Sequence, residues 1–367
     1  MNITEIQIAQ LTIPLIRPFI TAVRRTECVE DVVVIIKTDS GNLGYGSAAS
    51  TPAITGDSTE SIISAIKSIL APQLIGRSIS ELNLLLQMNQ QAILGNTSAK
   101  AAIDIALHDL FAQSCGLPLY KLLGGNTNSI NSCITISVKE VDAMVHDAID
   151  LVNQGHQTIK LKLGLNPIED IRRVHAIRQA VGDSITLLVD ANQGWSYEDA
   201  IKVIDSLKQQ HLNIPLIEQP INAQDLVHLK TLSEQVDCLI IADEACFSPE
   251  DTLNIAKMNA CDGINIKLMK SGGIENAQAI YTIAKTAQMK IMVGCMLESP
   301  IGVAAITSFA LSKPDISYAD LDPIYLIRDN YIVGGAQRRG NKIILSDKPG
   351  LGIEGINQGF NKIGVIR

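Results

Sequence analysis

The chain has 367 residues, 46% of them hydrophobic, and its 30 basic and 38 acidic residues give a formal net charge of −8. This length exceeds one typical domain, and a mildly acidic chain without a basic block is a poor partner for nucleic acid or anionic membranes. No apolar run approaches the roughly 20 residues that span a bilayer, the start lacks signal-peptide features, and seven cysteines form no Cys-x-x-Cys pair, so we expect a cytoplasmic protein with reduced thiols.

The first 125 residues predict an α+β domain. Residues 3–14 and 28–38 have the apolar pattern of strands, and a loop with no helical period, residues 17–25, lies between them. A second loop, residues 51–57, precedes a helical pattern over 58–94. Residues 98–114 then predict a buried helix that ends where Gly and Pro interrupt the pattern.

Residues 158–164 alternate with period two, which places Lys160 and Lys162 on one face of a strand. The following Asn166-Pro167-Ile168-Glu169 predicts the start of a helix, with Asn as the N-cap and Pro at the first helical position. A strand followed at once by a capped helix indicates a parallel β/α unit, whose strands are buried on both sides. Two lysines in such a strand therefore need a functional reason.

Similar apolar runs, most of them ending in a charged residue, recur about every 24 to 28 residues, the spacing of one strand, one helix and two loops. The runs are 158–164, 187–192, 216–220, 239–244, 263–268, 291–298 and 319–322, and an eighth strand fits at 132–137. Eight such strands predict an α/β fold, a (β/α) barrel with its site at the carboxyl ends of the strands. We place the barrel at residues 126–322 and expect the tail, 323–367, to return to the first domain.

Three consecutive strands end in the acids Asp190, Glu218 and Asp243, which would converge at the barrel mouth. Three carboxylates packed together without a cation would repel one another and raise one another's pKa values. A ligand set of oxygens alone, without His or Cys, favours Mg²⁺, with Mn²⁺ as the alternative, over zinc.

Lys162 and Lys267 end the strands on either side of this acidic set. A nearby divalent cation and burial both lower the pKa of a lysine, as a general base requires. A metal that binds a carboxylate, with one base on each face of its α-carbon, can support removal of the α-proton and its return on the other side. The arrangement predicts racemisation or epimerisation, with Lys160 hydrogen-bonding the substrate carboxylate.

At this point the motifs resemble those of the enolase superfamily, in the muconate-lactonizing subgroup, over nearly the whole chain. They are Lys160-Leu161-Lys162, Asp190-Ala191-Asn192-Gln193-Gly194-Trp195, Ile217-Glu218-Gln219-Pro220, Ala242-Asp243-Glu244 and Asn265-Ile266-Lys267. The resemblance implies a modified TIM barrel, (β/α)7β, under an N-terminal capping domain whose loops, around 17–27 and 51–57, close over the mouth. It also places Asn192 behind the metal ligands.

Asp320-Leu321-Asp322 resembles the D-x-D motif of the dipeptide epimerases, in which two carboxylates bind the free α-ammonium of the substrate. The same resemblance assigns Thr135, Met296 and Glu298 to substrate binding, with Glu298 supporting the site from behind. Arg24 resembles the loop arginine that binds the side-chain carboxylate in L-Ala-D/L-Glu epimerases.

The resemblance therefore implies a Mg²⁺-dependent dipeptide epimerase that acts on L-Ala-L-Glu, or on a broader range of L-Ala-L-Xaa dipeptides, in the turnover of peptidoglycan-derived peptides. We expect a homo-oligomer with a small-molecule substrate. Alternatives on the same template are muconate cycloisomerase, o-succinylbenzoate synthase and N-acylamino acid racemase, none of which needs a site for a free ammonium. A more distant alternative is a non-catalytic metal-binding barrel.

Overall fold

The computed structural model describes residues 1–367, and its centre is a barrel of eight parallel strands in sequence order. The strands are β5 (Ile134–Ile136), β6 (Thr158–Lys162), β7 (Thr186–Asp190), β8 (Leu216–Glu218), β9 (Leu239–Ala242), β10 (Gly263–Ile266), β11 (Lys290–Gly294) and β12 (Ile316–Asp320). The barrel closes where the Cys133 amide donates a hydrogen bond to the Ala319 carbonyl, 2.9 Å away. Lys162 pairs with Asp190, and Asp190 with Glu218, so these charged strand ends lie at one level.

Helices connect the strands on the outside of the barrel. They are α5 (Val141–Asn153), α6 (Pro167–Val181), α7 (Tyr197–Gln209), α8 (Leu226–Gln235), α9 (Pro249–Met258), α10 (Leu268–Ser271), α11 (Ile274–Thr286), α12 (Pro300–Leu311) and α13 (Pro323–Leu326). The predicted start signal at Asn166 is confirmed, since its side chain accepts the amides of Ile168 and Glu169. At the start of α9, Ser248 forms a capping box with Asp251. Since β12 is followed only by the four-residue α13, the architecture is (β/α)7β.

The N-terminal domain is an antiparallel sheet backed by helices. Its strands are β1 (Ile3–Ile20), β2 (Arg25–Thr38) and β3 (Leu43–Ala49), and its helices are α1 (Thr59–Ala65), α2 (Leu82–Gln91), α3 (Thr97–Ser114) and α4 (Leu119–Leu122). The predicted first loop, 17–25, is shorter than expected. Phe19 pairs with Thr26 and Ile20 with Arg25, so the strands continue and only residues 21–24 form the turn.

The segment after the barrel adds short strands to both parts of the molecule. They are β13 (Ile332–Gly334), β14 (Ala336–Arg339), β15 (Lys342–Leu345), β16 (Ile353–Ile356) and β17 (Phe360–Ile366). β15 pairs with β4 (Ser129–Asn131) at the entry to the barrel, and β17 pairs with β1 in the N-terminal sheet.

The domains are joined through α3, which is buried along most of its length and therefore shows little amphipathic pattern. Its Asp104 accepts the backbone amide of Ile274, 2.7 Å away, at the start of barrel helix α11. This contact fixes the N-terminal domain above the barrel. None of the helices combines the length and hydrophobicity required to cross a membrane.

Candidate metal and catalytic site

Asp190, Glu218 and Asp243 form a buried acidic triad at the mouth of the barrel. Each side chain is at most 1% exposed, and one oxygen from each lies within 4.8 Å of the others. Asp190 and Glu218 end β7 and β8, and Asp243 directly follows β9, so successive parallel strands bring the three together. Three hard oxygen donors in this arrangement suit Mg²⁺ or Mn²⁺.

The electrostatics of the triad agree with a cation site. Burial, together with the charge of Asp190, raises the pKa of Glu218 to about 7. Burial also opposes ionisation of Asp190, but Lys160 and Lys162 outweigh it and hold that pKa at about 2. Glu218 Oε2 has no donor with hydrogen-bond geometry, although Lys160 Nζ lies 2.6 Å away. A divalent ion would add positive charge beside this buried carboxylate and favour its ionised form.

Lys162 and Lys267 flank the triad from β6 and from the end of β10. Lys162 Nζ lies 2.6 Å from Asp190 Oδ2, and Lys267 Nζ lies 2.6 Å from Asp243 Oδ2. The sequence predicted a lowered lysine pKa. Among the protein groups alone, burial does lower the pKa of Lys267, but Asp243 and Glu218 outweigh it and hold it above its ordinary value.

Lys160 is more deeply buried than the two flanking lysines. Its side chain is completely buried beneath the mouth, and its Nζ contacts Asp190 at 2.8 Å, Glu218 at 2.6 Å and Asp320 at 2.6 Å. It does not line the cavity at the mouth. The three carboxylates draw the ammonium inward, so Lys160 acts here as a counter-ion shared by all three.

Asp320 and Asp322 form a second pair of carboxylates beside the triad. The Thr135 amide donates to Asp322 Oδ2 at 2.6 Å, and the Thr135 hydroxyl donates to Asp320 Oδ1 at 3.5 Å. Lys160 neutralises Asp320, whereas no cationic side chain pairs with Asp322. Burial and the charge of Asp320 raise the pKa of Asp322 to about 7. This pair has room for one further cation.

A cavity of about 540 Å³, here called the mouth cavity, lies between the barrel and the N-terminal domain. Its walls are Phe19, Thr21, Val23, Arg24, Ile54, Thr135, Lys162, Asn192, Asp243, Lys267, Cys295, Met296, Leu297, Asp320, Asp322, Pro323 and Leu326. Both predicted loops contribute to it, and so do the two flanking lysines and Met296.

Arg24 brings a cation to this cavity from the turn between β1 and β2. Its guanidinium donates to the Thr51 hydroxyl of the second loop at 3.4 Å and lies 6.0 Å from the centre of the Phe19 ring. Burial lowers its pKa to about 10. No carboxylate of the protein pairs with Arg24, so its charge is available to a ligand.

Glu298, which the resemblance assigned to substrate binding with a supporting position behind the site, lies outside the walls of the mouth cavity. Its Oε1 accepts the Met296 amide at 3.0 Å, and burial, reinforced by Asp31 of the N-terminal sheet, raises its pKa well above the ordinary value. Asp31 in turn accepts the Ser299 amide at 2.8 Å. The turn at residues 296–299 is thus hydrogen-bonded both within itself and to Asp31 of β2, which places Glu298 at the boundary between the domains.

Three supporting residues were not predicted from the sequence. Lys270 Nζ contacts Asp243 Oδ1 at 2.5 Å, and the Asn265 amide donates to Glu218 Oε1 at 2.8 Å. Glu244 accepts a hydrogen bond from Asn192 at 3.1 Å, and burial raises its pKa to about 7. For Lys270 the sequence contained a usable signal. It lies three residues after Lys267, at the start of a helix, and residues three apart share a helix face.

Two family models match most of the chain. Residues 3–124 match the mandelate racemase / muconate lactonizing enzyme N-terminal domain, and residues 143–358 match the enolase C-terminal domain-like family. The L-Ala-D/L-Glu epimerase of Clostridium acetobutylicum is 48% identical over 358 residues, which cover 97% of this chain and 100% of that protein.

Solved structures show the same similarity. The substrate-liganded complex of the L-Ala-D/L-Glu epimerase from Bacillus subtilis superposes with a TM-score of 0.95 at 40% identity, covering 97% of this chain and 99% of that one. The dipeptide epimerase from Enterococcus faecalis V583, complexed with Mg and the dipeptide L-Leu-L-Tyr, gives a TM-score of 0.93 at 36% identity, with coverage of 97% and 100%.

Proposed function

The chain belongs to the enolase superfamily, in the mandelate racemase and muconate lactonizing enzyme family, and on that premise we propose that it is a Mg²⁺-dependent dipeptide epimerase. The reaction inverts the α-carbon of the C-terminal residue of L-Ala-L-Glu and related L-Ala-L-Xaa dipeptides. The observation that carries this proposal is the Asp320–Asp322 pair, a buried anionic site beside the catalytic lysines with no cationic partner for Asp322.

Lys162 and Lys267 are the acid–base pair. Both line the mouth cavity, and their strands lie on opposite sides of the acidic triad, so a bound α-carbon would have one amine on each face. One neutral lysine takes the α-proton, and the other, as an ammonium, returns a proton to the opposite face. The two exchange roles for the reverse reaction.

The acidic triad of Asp190, Glu218 and Asp243 would hold the divalent ion. When bound, that ion supplies positive charge against the enediolate that forms as the α-proton leaves. Lys270 and Asn265 hold Asp243 and Glu218 by hydrogen bonds, so the ligand oxygens are fixed before a metal arrives. We propose Mg²⁺ as the resident ion.

The free α-ammonium of the dipeptide distinguishes this reaction from the alternatives on the same template. The substrates of cycloisomerase, o-succinylbenzoate synthase and N-acylamino acid racemase carry no such group and would leave Asp322 buried without a cationic partner. A dipeptide ammonium between Asp320 and Asp322 would make charge-assisted hydrogen bonds to both. Thr135 keeps the two carboxylates in place for that contact.

Arg24 favours an acidic side chain on the C-terminal residue. Its guanidinium faces the mouth cavity, has no carboxylate partner and is held by Thr51 and the Phe19 ring. A glutamate side chain would complete this contact. We further propose that the protein acts in the cytoplasm on peptidoglycan-derived peptides and forms a homo-oligomer.

The test is proton exchange in D₂O with Mg²⁺ and a panel of L-Ala-L-Xaa dipeptides, followed by proton NMR of the C-terminal α-proton. Metal-dependent loss of that signal, with formation of the L,D diastereomer, is the expected result, and L-Ala-L-Glu should react fastest. A chelator and Lys162→Ala serve as controls. Exchange with N-acylamino acids but with no dipeptide would contradict the proposal and favour the racemase alternative.

A further inference from the structure

A second cavity, of about 810 Å³, adjoins the mouth cavity. It lies between β5, helix α5, the short helix α13 and the end of β1. Three residues, Phe19, Thr135 and Leu326, line both cavities and form the wall between them. The size of these three side chains therefore limits the size of any ligand group that lies beside this wall in the mouth cavity.

Leu326 is the member of the wall with no polar contact to maintain. Thr135 holds Asp320 and Asp322 by hydrogen bonds, and Phe19 lies against the Arg24 guanidinium. Changing either would disturb groups that bind substrate. Leu326 is half-buried and packs against the barrel core, so its side chain acts through its volume alone.

Leu326 also stands next to the site for the first residue of the substrate. Asp322 is the N-cap of α13, and Leu326 lies four residues later, one helical turn away on the same face. If Asp320 and Asp322 hold the α-ammonium, as the proposed function requires, the first side chain branches from the carbon that carries that ammonium. It must therefore point near the wall.

We propose that Leu326 limits the first residue of the dipeptide to a small side chain, and that the second cavity is the subsite which a larger first side chain enters when this wall is opened. The inference rests on the proposed dipeptide function and specifies its selectivity at the first position.

The second cavity has polar groups suited to a hydroxyl. The His156 Nδ1 atom and the Tyr325 hydroxyl are both buried and have no hydrogen-bond partner within the protein. Their rings meet edge to face with centroids 5.4 Å apart. Ile136 and Leu151 line this cavity together with charged residues such as Arg17, Lys139 and Asp147. An aromatic side chain with a terminal hydroxyl therefore matches this space better than one without.

The experiment compares kcat/KM for L-Ala-L-Glu, L-Phe-L-Glu and L-Tyr-L-Glu in the wild type and in Leu326→Ala. Hydrophobic pockets discriminate about 10- to 200-fold per methylene. We therefore expect the ratio of L-Phe-L-Glu to L-Ala-L-Glu to rise about tenfold or more in Leu326→Ala, with L-Tyr-L-Glu above L-Phe-L-Glu. The matched control, Leu326→Met, keeps the volume and should keep the wild-type ratio. If Leu326→Ala does not fold, Leu326→Val gives the same comparison with a smaller opening.

A double variant locates the first side chain. Leu151 lines only the second cavity, so adding Leu151→Phe to Leu326→Ala should reverse the gain, whereas Leu151→Phe alone should leave L-Ala-L-Glu turnover unchanged. An unchanged ratio in Leu326→Ala, or a gain that persists when the second cavity is filled, would overturn the inference. A wild-type protein inactive on every dipeptide would instead overturn the proposed function.

Discussion

Replacement of Asp322 by asparagine tests the ammonium site most directly. Asparagine keeps the shape of the side chain and an oxygen that can accept the Thr135 amide, which now lies 2.6 Å from Asp322 Oδ2. It removes only the negative charge. Since Asp322 is 6% exposed, water cannot replace the lost attraction to a bound ammonium.

The magnitude follows from the burial of this contact. Loss of one partner in a buried, hydrogen-bonded charge pair costs about 2–5 kcal/mol. Because asparagine retains a dipole and the acceptor, we expect the lower part of that range, about 2–3 kcal/mol, which is about a 30- to 150-fold loss of kcat/KM. The loss should appear on L-Ala-L-Glu in the α-proton exchange assay, with Mg²⁺ affinity close to that of the wild type.

The pH profile gives an independent measurement of the same group. The pKa of Asp322 in the free protein is raised to about 7 by burial and by Asp320. Below that pH the carboxyl is neutral and attracts an ammonium less, so wild-type kcat/KM should fall as the pH drops below about 7. Asp322→Asn should lack this part of the profile.

The stability of Asp322→Asn shows whether a loss of activity comes from misfolding. The ordinary pKa of an aspartate is about 4, so between about pH 4 and 7 the folded state holds a proton that the unfolded state releases. Stability is therefore lost as the pH rises through this window, and Asp322→Asn should be at least as stable as the wild type at pH 8. Asp329→Asn makes the same charge change at an exposed site and should leave kcat/KM within about twofold. Full dipeptide activity in Asp322→Asn would refute the ammonium site.

Three further predictions concern the lysines, the metal and the loop. Lys162→Ala and Lys267→Ala should each lose α-proton exchange from one diastereomer by about 10²- to 10⁴-fold while still binding Mg²⁺; loss of exchange from neither diastereomer would exclude the two-base mechanism. Glu218→Gln should weaken Mg²⁺ binding about tenfold or more in calorimetry, because it removes one of three charged ligands, and unchanged affinity would place the metal elsewhere. Arg24→Met should lower kcat/KM on L-Ala-L-Glu about 10- to 100-fold relative to L-Ala-L-Leu, and equal effects on both would remove Arg24 from side-chain selection.

The sequence predicted the barrel and its charged strand ends because both depend on local patterns. Alternation placed Lys162 on the inner face of β6, and the regular spacing brought Asp190, Glu218 and Asp243 to one level. The alternating pattern of a strand does not specify how deep in the barrel each side chain lies. Lys160 shares the face of Lys162, yet one pleat lower it meets three carboxylates instead of the cavity.

The direction of side chains in the turns also could not be predicted from the sequence pattern. Glu298 follows a strand, as the triad residues do, but its turn folds back and directs the carboxyl toward Asp31. The short turn at residues 21–24 depends on pairing between Phe19 and Thr26, a contact that no local pattern specifies. The wall formed by Leu326 depends on packing between three distant segments.

The pairing of β17 with β1 has a consequence for biosynthesis. Ile6 pairs with Ile366, so one edge of β1 is covered only after the ribosome has made the entire barrel. Until then residues 6–11 of β1 present unpaired amides and carbonyls on this edge, the kind of edge at which chains aggregate. The nascent N-terminal domain is therefore expected to need protection, by a chaperone or by rapid translation, until its fourth strand arrives.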